Sequence, residues 1–334
     1  MNLDQKLKFL NFIQNLKFEK RFLIDYANLI SGTFKYQKKF IKKNDLLHYE
    51  KNISAGMPIL IPDKLSIFNY SNNSSYIYKK NNFLKYMFGL KKKDYAPFNS
   101  LSAYGDIYSY SLYPKKKYLK IIKKINFYNN DVRIKIKKLK LKYKTVGAFQ
   151  TRNIPHFGHE KIIEFYLSRV NHVVINPLIG PKKNDDVNPN KIFLAYKYLK
   201  KYYKDKISFL PIIANMFYAG PREAIHHGLL RESFGFTHFS IGRDHAGHGN
   251  YYPFYLATKM ARKNMKNSKI KLLTHYGSFW HKKRKEIVLC RKLQSKRYLQ
   301  NISGSEFRNC LYTKKIYKFA RIDLQDYLIK NKLF

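Results

Sequence analysis

Residues 150–160 read QTRNIPHFGHE, which places an arginine, two histidines, two side-chain amides and a helix-breaking proline within eleven residues. Together these types can hold anions. Arg152 offers a planar fork of donors to a tetrahedral oxyanion. Gln150 and Asn153 add neutral N–H donors, and Thr151 adds a hydroxyl. His156 and His159 stand three apart at the start of a helical pattern, a spacing that puts both imidazoles on one face, one turn apart. A helix N-terminus adds unpaired N–H groups and the positive end of its dipole, an anion site in itself. Gly158 lets a ligand approach the backbone closely. A lone H-x-x-H is weak evidence, because two ordinary histidines at a helix start look the same. H-x-G-H between a strand and a helix is far more specific.

The elements that must position these residues follow a rhythm from residue 145 onward. TVGAFQ (145–150) reads as a buried strand and HEKIIEFYLSRV (159–170) as a helix. HVVINPLIG (172–180) is a second strand ending at a proline, NKIFLAYKYLKKYY (190–203) a helix and ISFLPIIA (207–214) a strand. GPREAIHHGLLRESFG (220–235) is a helix with proline at its start and glycine at its end. FTHFSIG (236–242), YYPFYLATKMARKN (251–264) and IKLLTHYG (270–277) continue as strand, helix and strand. Such alternation implies an open α/β sheet of parallel strands with right-handed crossovers. Ligands of such sheets sit at the carboxyl ends of the strands. The segments after the first four strands, QTRNIPHFGHE, NPLIGPKKNDD, NMFYAGPREA and GRDHAGHGN, are all polar. Chemistry is therefore gathered on one edge.

Residues 1–144 are irregular by comparison. Leu3, Leu7, Leu10, Phe12, Ile13 and Leu16 recur at helical spacing. Short apolar runs such as MPILIP (57–62) alternate with turn clusters such as NYSNNSS (69–75), which suits a small β-rich domain. In the lysine-dense stretch 114–144, Val132–Leu141 alternates apolar and basic like a half-exposed strand. No internal repeat is evident.

The chain has 334 residues, with 66 Lys+Arg against 21 Asp+Glu, a formal net charge of +45. A polyanion partner is one reading of that excess. Lys, Asn, Ile, Tyr and Phe are all abundant, however, and all share A/T-rich codons, so codon bias explains the charge better. Zinc-finger, RNP and basic-leucine motifs are absent, and nucleic-acid binding is not expected. Two cysteines, Cys290 and Cys310, exclude a disulfide framework and suit a reducing compartment. Nothing resembles a secretory signal, and no segment approaches the ~20 apolar residues of a membrane span. A cytoplasmic location is the simplest expectation.

H-x-G-H resembles the signature of nucleotidyltransferases that attack the α-phosphate of ATP. QTRNIPHFGHE, NPLIG, FYAGPREA, THFSIGRDHAG and ISGSEFR (302–308), in that order and spacing, resemble the ATP sulfurylases over roughly residues 145–310. The resemblance implies three parts: a β-rich PUA-like domain over 1–144, a Rossmann-like adenylyltransferase domain over 145–284, and a small C-terminal subdomain over 285–334. It leaves no room after residue 310 for a fused adenylyl-sulfate kinase. It implies transfer of AMP from ATP to sulfate, giving adenosine 5′-phosphosulfate and pyrophosphate. Gln150, Arg152 and the backbone N–H of Ala246 would hold sulfate. Thr151, Arg152 and Asn153 match the family's catalytic run, with His156, His159 and Arg243 acting on phosphate charge. Gln150, Asn153, His156, His159, Gly242, Arg243, Asp244 and His245 would hold ATP. Mg2+ would arrive on the ATP or pyrophosphate oxygens, and the family's usual dimer is expected. The sequence departs from the family pattern in three places. Asn176 stands where a histidine usually precedes the PL-x-G run. GHGNYYPF follows GRDHA. Only His281 and Cys290 could serve the zinc site of bacterial relatives, which wants four ligands, so no zinc is expected.

Overall fold

A computed structural model describes residues 1–34, 68–70, 75–77, 106–108, 112–181, 187–216, 221–243, 245, 253–292 and 297–334. Helices α1 (Leu3–Gln14) and α2 (Phe22–Ile30) precede four short strands, β1 (Phe68–Tyr70), β2 (Ser75–Ile77), β3 (Asp106–Tyr108) and β4 (Leu112–Pro114). β1 pairs with β4 and β2 with β3, both antiparallel. The MPILIP run lies outside the described residues. Helix α3 (Leu119–Tyr143) follows and corrects the strand expected over Val132–Leu141. Ile122, Ile125, Asn129, Val132 and Ile136 are buried, a 3-4-3-4 spacing that makes one helical stripe. The apparent alternation came from Ile134 and Leu141, which are exposed on the opposite side.

The expected alternation of strand and helix is present. It runs β5 (Val146–Phe149), α4 (Phe157–Leu167), β6 (His172–Ile175), β7 (Leu178–Ile179), α5 (Pro189–Tyr203), β8 (Ile207–Phe209) and β9 (Ile212–Ile213). Then come α6 (Pro221–Phe234), β10 (His238–Ile241), α7 (Leu256–Asn264) and β11 (Lys271–Thr274). The strand begun at His172 ends at its proline as expected, with a further short strand beyond it, and the segment 207–214, expected as a single strand, is likewise split by a proline. Pro177 and Pro211 have no N–H for the ladder, and beyond them β7 and β9 pair as a separate parallel ribbon.

Five strands form one parallel sheet in the order β11-β10-β5-β6-β8. Its central strands are buried on both faces, as parallel sheets require. Val146, Ala148 and Val174 face a cluster shared with α2, α3, α6 and α7, whereas Phe149, Val173 and Ile175 face one shared with α4 and α5. The free edge of β9 is closed by amides. Asn129 accepts from Ile213 N at 3.0 Å, and Asn28 and Asn129 donate to Ile213 O at 3.1 and 2.9 Å. These bonds leave no buried backbone group unpaired at that residue and tie α2 and α3 to the sheet.

β12 (Ser278–His281), β13 (Glu286–Leu289) and β14 (Leu299–Asn301) make a second, antiparallel sheet, followed by α8 (Gly304–Tyr312) and α9 (Ile322–Lys330). The residue-284 boundary falls inside the β12–β13 hairpin. The C-terminal part grips the start of α4. Phe157 N donates to Phe319 O at 2.8 Å, and Arg321 Nε donates to both carboxylate oxygens of Glu160 at 3.0 and 2.8 Å.

In chain order the sheet grows from β5 through β6 to β8, then returns to β5 and grows the other way through β10 and β11. The crevice beyond the carboxyl ends of β5 and β10 is the switch point, where open α/β sheets bind ligands.

Candidate active site

A cleft of about 340 Å3 lies at that switch point. Gln150, Thr151, Arg152, Asn153, His156 and His159, on the β5–α4 connection, line one side. Gly242, Arg243 and His245, after β10, line the other. The fold thus brings together every sequence-derived site residue that is described; Asp244 and Ala246 lie outside the described residues. The NPLIG segment does something else. Asn176 is fully buried, accepts from Arg231 Nε at 2.9 Å through its side chain and from Arg231 Nη2 at 3.0 Å through its carbonyl, and donates to Leu210 O.

The two histidines are more constrained than their spacing suggested. His156 is the N-cap of α4 and His159 its third residue, and together they make a capping box with imidazoles in place of the usual hydroxyl and carboxylate. Gly158 N donates to His156 Nδ1 at 3.1 Å, and His156 N donates to His159 Nδ1 at 3.4 Å. Their ring centroids lie 3.9 Å apart. Burial depresses both, His159 to about 4, with the neighbouring His159 ring adding to the effect on His156. Both rings are therefore neutral at pH 7. Since each Nδ1 accepts a backbone N–H, each proton sits on Nε2. The pair presents two Nε2–H donors of fixed tautomer beside a helix N-terminus.

Gly158 has a tighter role than ligand approach. A Cβ there would lie 2.6 Å from Ser278 Oγ and 2.9 Å from His156 Cε1. Thr151 Oγ1 accepts from Asn153 N at 3.2 Å, a local turn that shapes the loop. Arg243 donates to Asn301 Oδ1 at 3.1 Å and stacks over Phe279, 5.1 Å from the ring centroid. The second sheet therefore holds one of the cleft's cations.

Sequence reasoning missed Met216, Ser240, His275, Gly277, Ser278 and Gly304, all of which line the cleft. His275 is buried, accepts from Gly277 N at 3.2 Å and lies 3.3 Å from Ser240 Oγ. A Cβ on Gly242 would sit 2.8 Å from its ring, so the glycine of GRDH makes room for an imidazole. Behind His245, its Nε2 meets His227 Nδ1 at 3.0 Å, and His227 Nε2 meets the buried Glu223 carboxylate at 3.0 Å. In the ladder His281 pairs with Glu286 and Ser278 with Leu289, so His281 and Cys290 stand at opposite ends of the β12–β13 hairpin. No cluster of three or more His, Cys, Asp or Glu exists among the described residues.

The model of the ATP-sulfurylase family matches residues 124–317. A sulfate adenylyltransferase of Staphylothermus marinus is 33% identical over 261 residues, 70% of this chain and 68% of that one. The chain belongs to the ATP-sulfurylase family. A sulfate adenylyltransferase of Ignicoccus hospitalis is 49% identical over 117 residues, 34% of this chain and 31% of that one. One of Persephonella marina is 37% identical over 193 residues, 56% of this chain and 50% of that one. Among solved structures, a hexameric APS kinase from Thiobacillus denitrificans superposes with a TM-score of 0.55 at 12% identity, covering 94% of this chain and 62% of that one. At that identity the likeness speaks to fold alone. The ATP-sulfurylase match takes in α4 and both cleft walls. No helix among the described residues is long and apolar enough to cross a membrane.

Proposed function

We propose that the cleft binds ATP and sulfate side by side and joins them. A sulfate oxygen attacks the α-phosphorus, the new S–O–P link forms, the bond from the α-phosphorus to the bridging oxygen breaks, and pyrophosphate leaves with the electron pair. The products are adenosine 5′-phosphosulfate and pyrophosphate. Sulfate is already ionised, so no general base is needed. The difficulty is to hold two anions together while negative charge spreads over the phosphoryl oxygens. Gln150, Arg152 and the Ala246 N–H would hold sulfate. Asn153, His156, His159, Gly242, Arg243, Asp244 and His245 would hold ATP, and Thr151 would keep the loop in shape.

The observation that carries this reading is the pair of neutral imidazoles. Both Nδ1 atoms are committed to the backbone, so two fixed Nε2–H donors meet developing charge without reorganising. Mg2+ would travel on the triphosphate. The polar side chains among the described cleft residues are amides, hydroxyls, imidazoles and arginines, and they offer a hard cation no carboxylate. A PUA-like domain over residues 1–144, a homodimer and a cytoplasmic location belong to the same reading. Pyrophosphate release from ATP with sulfate, with molybdate and with no anion tests it. Sulfate-dependent release supports it. Release dependent only on another acceptor points to a related adenylyltransferase, and salt-sensitive nucleic-acid binding without release points to a basic binding protein.

A further inference from the structure

We propose that Arg308 is a positioning residue, which fixes the end of the Asn153 amide that a bound anion meets. The proposal rests on the reading of the cleft given above. Arg308 Nη1 donates to Asn153 Oδ1 at 2.7 Å, and its Nη2 donates to Ser305 Oγ at 3.2 Å. Arginine has no acceptor, so the amide atom that meets it must be the oxygen. Nδ2, with its two N–H groups, is then the end left for a ligand in a residue that lines the cleft. Gly304 supplies the shelf. A Cβ there would lie 3.2 Å from Asn153 Cγ, 3.3 Å from Oδ1 and 3.4 Å from Nδ2, so the amide lies flat against the start of α8.

Gly304 and Arg308 are four apart on α8, which puts shelf and donor on one face. The helix is itself held, because its N-cap Ser303 accepts from Glu306 N at 3.2 Å. The backbone of Asn153 is pinned separately by Thr151 Oγ1. Two parts of the chain, 155 residues apart, thus meet at one amide. Without Arg308 the amide can turn over and offer oxygen to a phosphate, which exchanges an attraction for a repulsion.

The test compares Arg308→Met, Arg308→Lys, Asn153→Ala and the double variant Arg308→Met with Asn153→Ala. Turnover and ATP titration are read on each, with thermal melting to follow the fold. Arg308→Met keeps the apolar stem and removes the donor. It is expected to lower kcat/KM by about 10–100-fold, the usual cost of removing a group that orients a ligand-binding residue, with the fold retained. Arg308→Lys should recover much of that loss, since an ammonium can donate to Oδ1. The double variant should lose no more than Asn153→Ala alone. Losses that multiply, full activity in Arg308→Met, or a chain that no longer folds would each overturn the proposal. If the parent makes no adenosine 5′-phosphosulfate, the functional reading falls by itself, and the brace is then decided by ATP titration. Non-additive weakening across the same cycle upholds it, and additive weakening overturns it.

Discussion

A cation's shape matters as much as its charge when the partner is a tetrahedral anion. Arg152 is half-buried in the cleft on the QTRN run. Arg152→Lys keeps the charge and loses the fork. It is expected to lower sulfate-dependent turnover by about 10²-fold, comparable to losing one preorganised donor, with Arg152→Ala abolishing it and both retaining the parent melting profile. A lysine variant as fast as the parent would remove Arg152 from the anion cage. At this scale the sequence was legible where the motif is local. H-x-G-H and GRDH announce themselves through types and spacing. His275 and Ser278 do not, because the sheet's topology rather than a local motif brings them to the cleft, and Ser240 and Gly304 lie inside quoted motifs without showing there that they line it. ISGSEFR was visible as a motif, but the meeting of Arg308 with Asn153 is purely tertiary.

The β5–α4 turn concentrates both function and packing. Gly158→Ala would drive a methyl into Ser278 Oγ and the His156 ring. The serine hydroxyl can rotate away, whereas the ring is held by its own cap. The expected result is a stability loss of about 1–3 kcal/mol, as for other overpacked sites, together with a turnover loss larger than that destabilisation accounts for. Melting and turnover measured on one preparation check this, and an active, destabilised variant would place the glycine's role in packing alone. Element types were legible where the ends were marked or the apolar run was short and unbroken, as in α6 with its proline start and glycine end and in the wholly buried β5. They were not legible in α3, where Ile134 and Leu141 on the exposed face broke the 3.6-residue pattern and imitated a strand. Pro177 marked a strand end in the sequence, but the apolar run through Pro211 did not reveal that this proline divides one strand from the next.

Across the whole molecule, burial depresses many histidines. His159, His172 and His275 are held at about 4, and His156, His226, His227 and His245 lie well below their ordinary value, burial being the largest cause throughout. A histidine depressed in the fold contributes stability that is complete above its unfolded value near 6.5 and is lost as pH falls toward the folded value. Asp25, pushed up to about 6 by burial, works in the opposite sense over part of the same window. The histidines outnumber it, and a tenfold difference in proton affinity between the folded and unfolded chain is worth about 1.4 kcal/mol. Denaturant midpoints should therefore fall between pH 7 and pH 5; an unchanged or higher midpoint at pH 5 would contradict this. The central claim is that two neutral, pre-aimed imidazoles lower the barrier for moving AMP onto sulfate. Its most direct test is single-turnover transfer from α-labelled ATP to sulfate in the parent, His156→Asn and His159→Asn, beside nucleotide titration of each. The parent should yield labelled adenosine 5′-phosphosulfate, and each variant should be slower by roughly 10²–10³ while ATP affinity changes far less. Rates equal to the parent, or rate and affinity lost in equal measure, would contradict it.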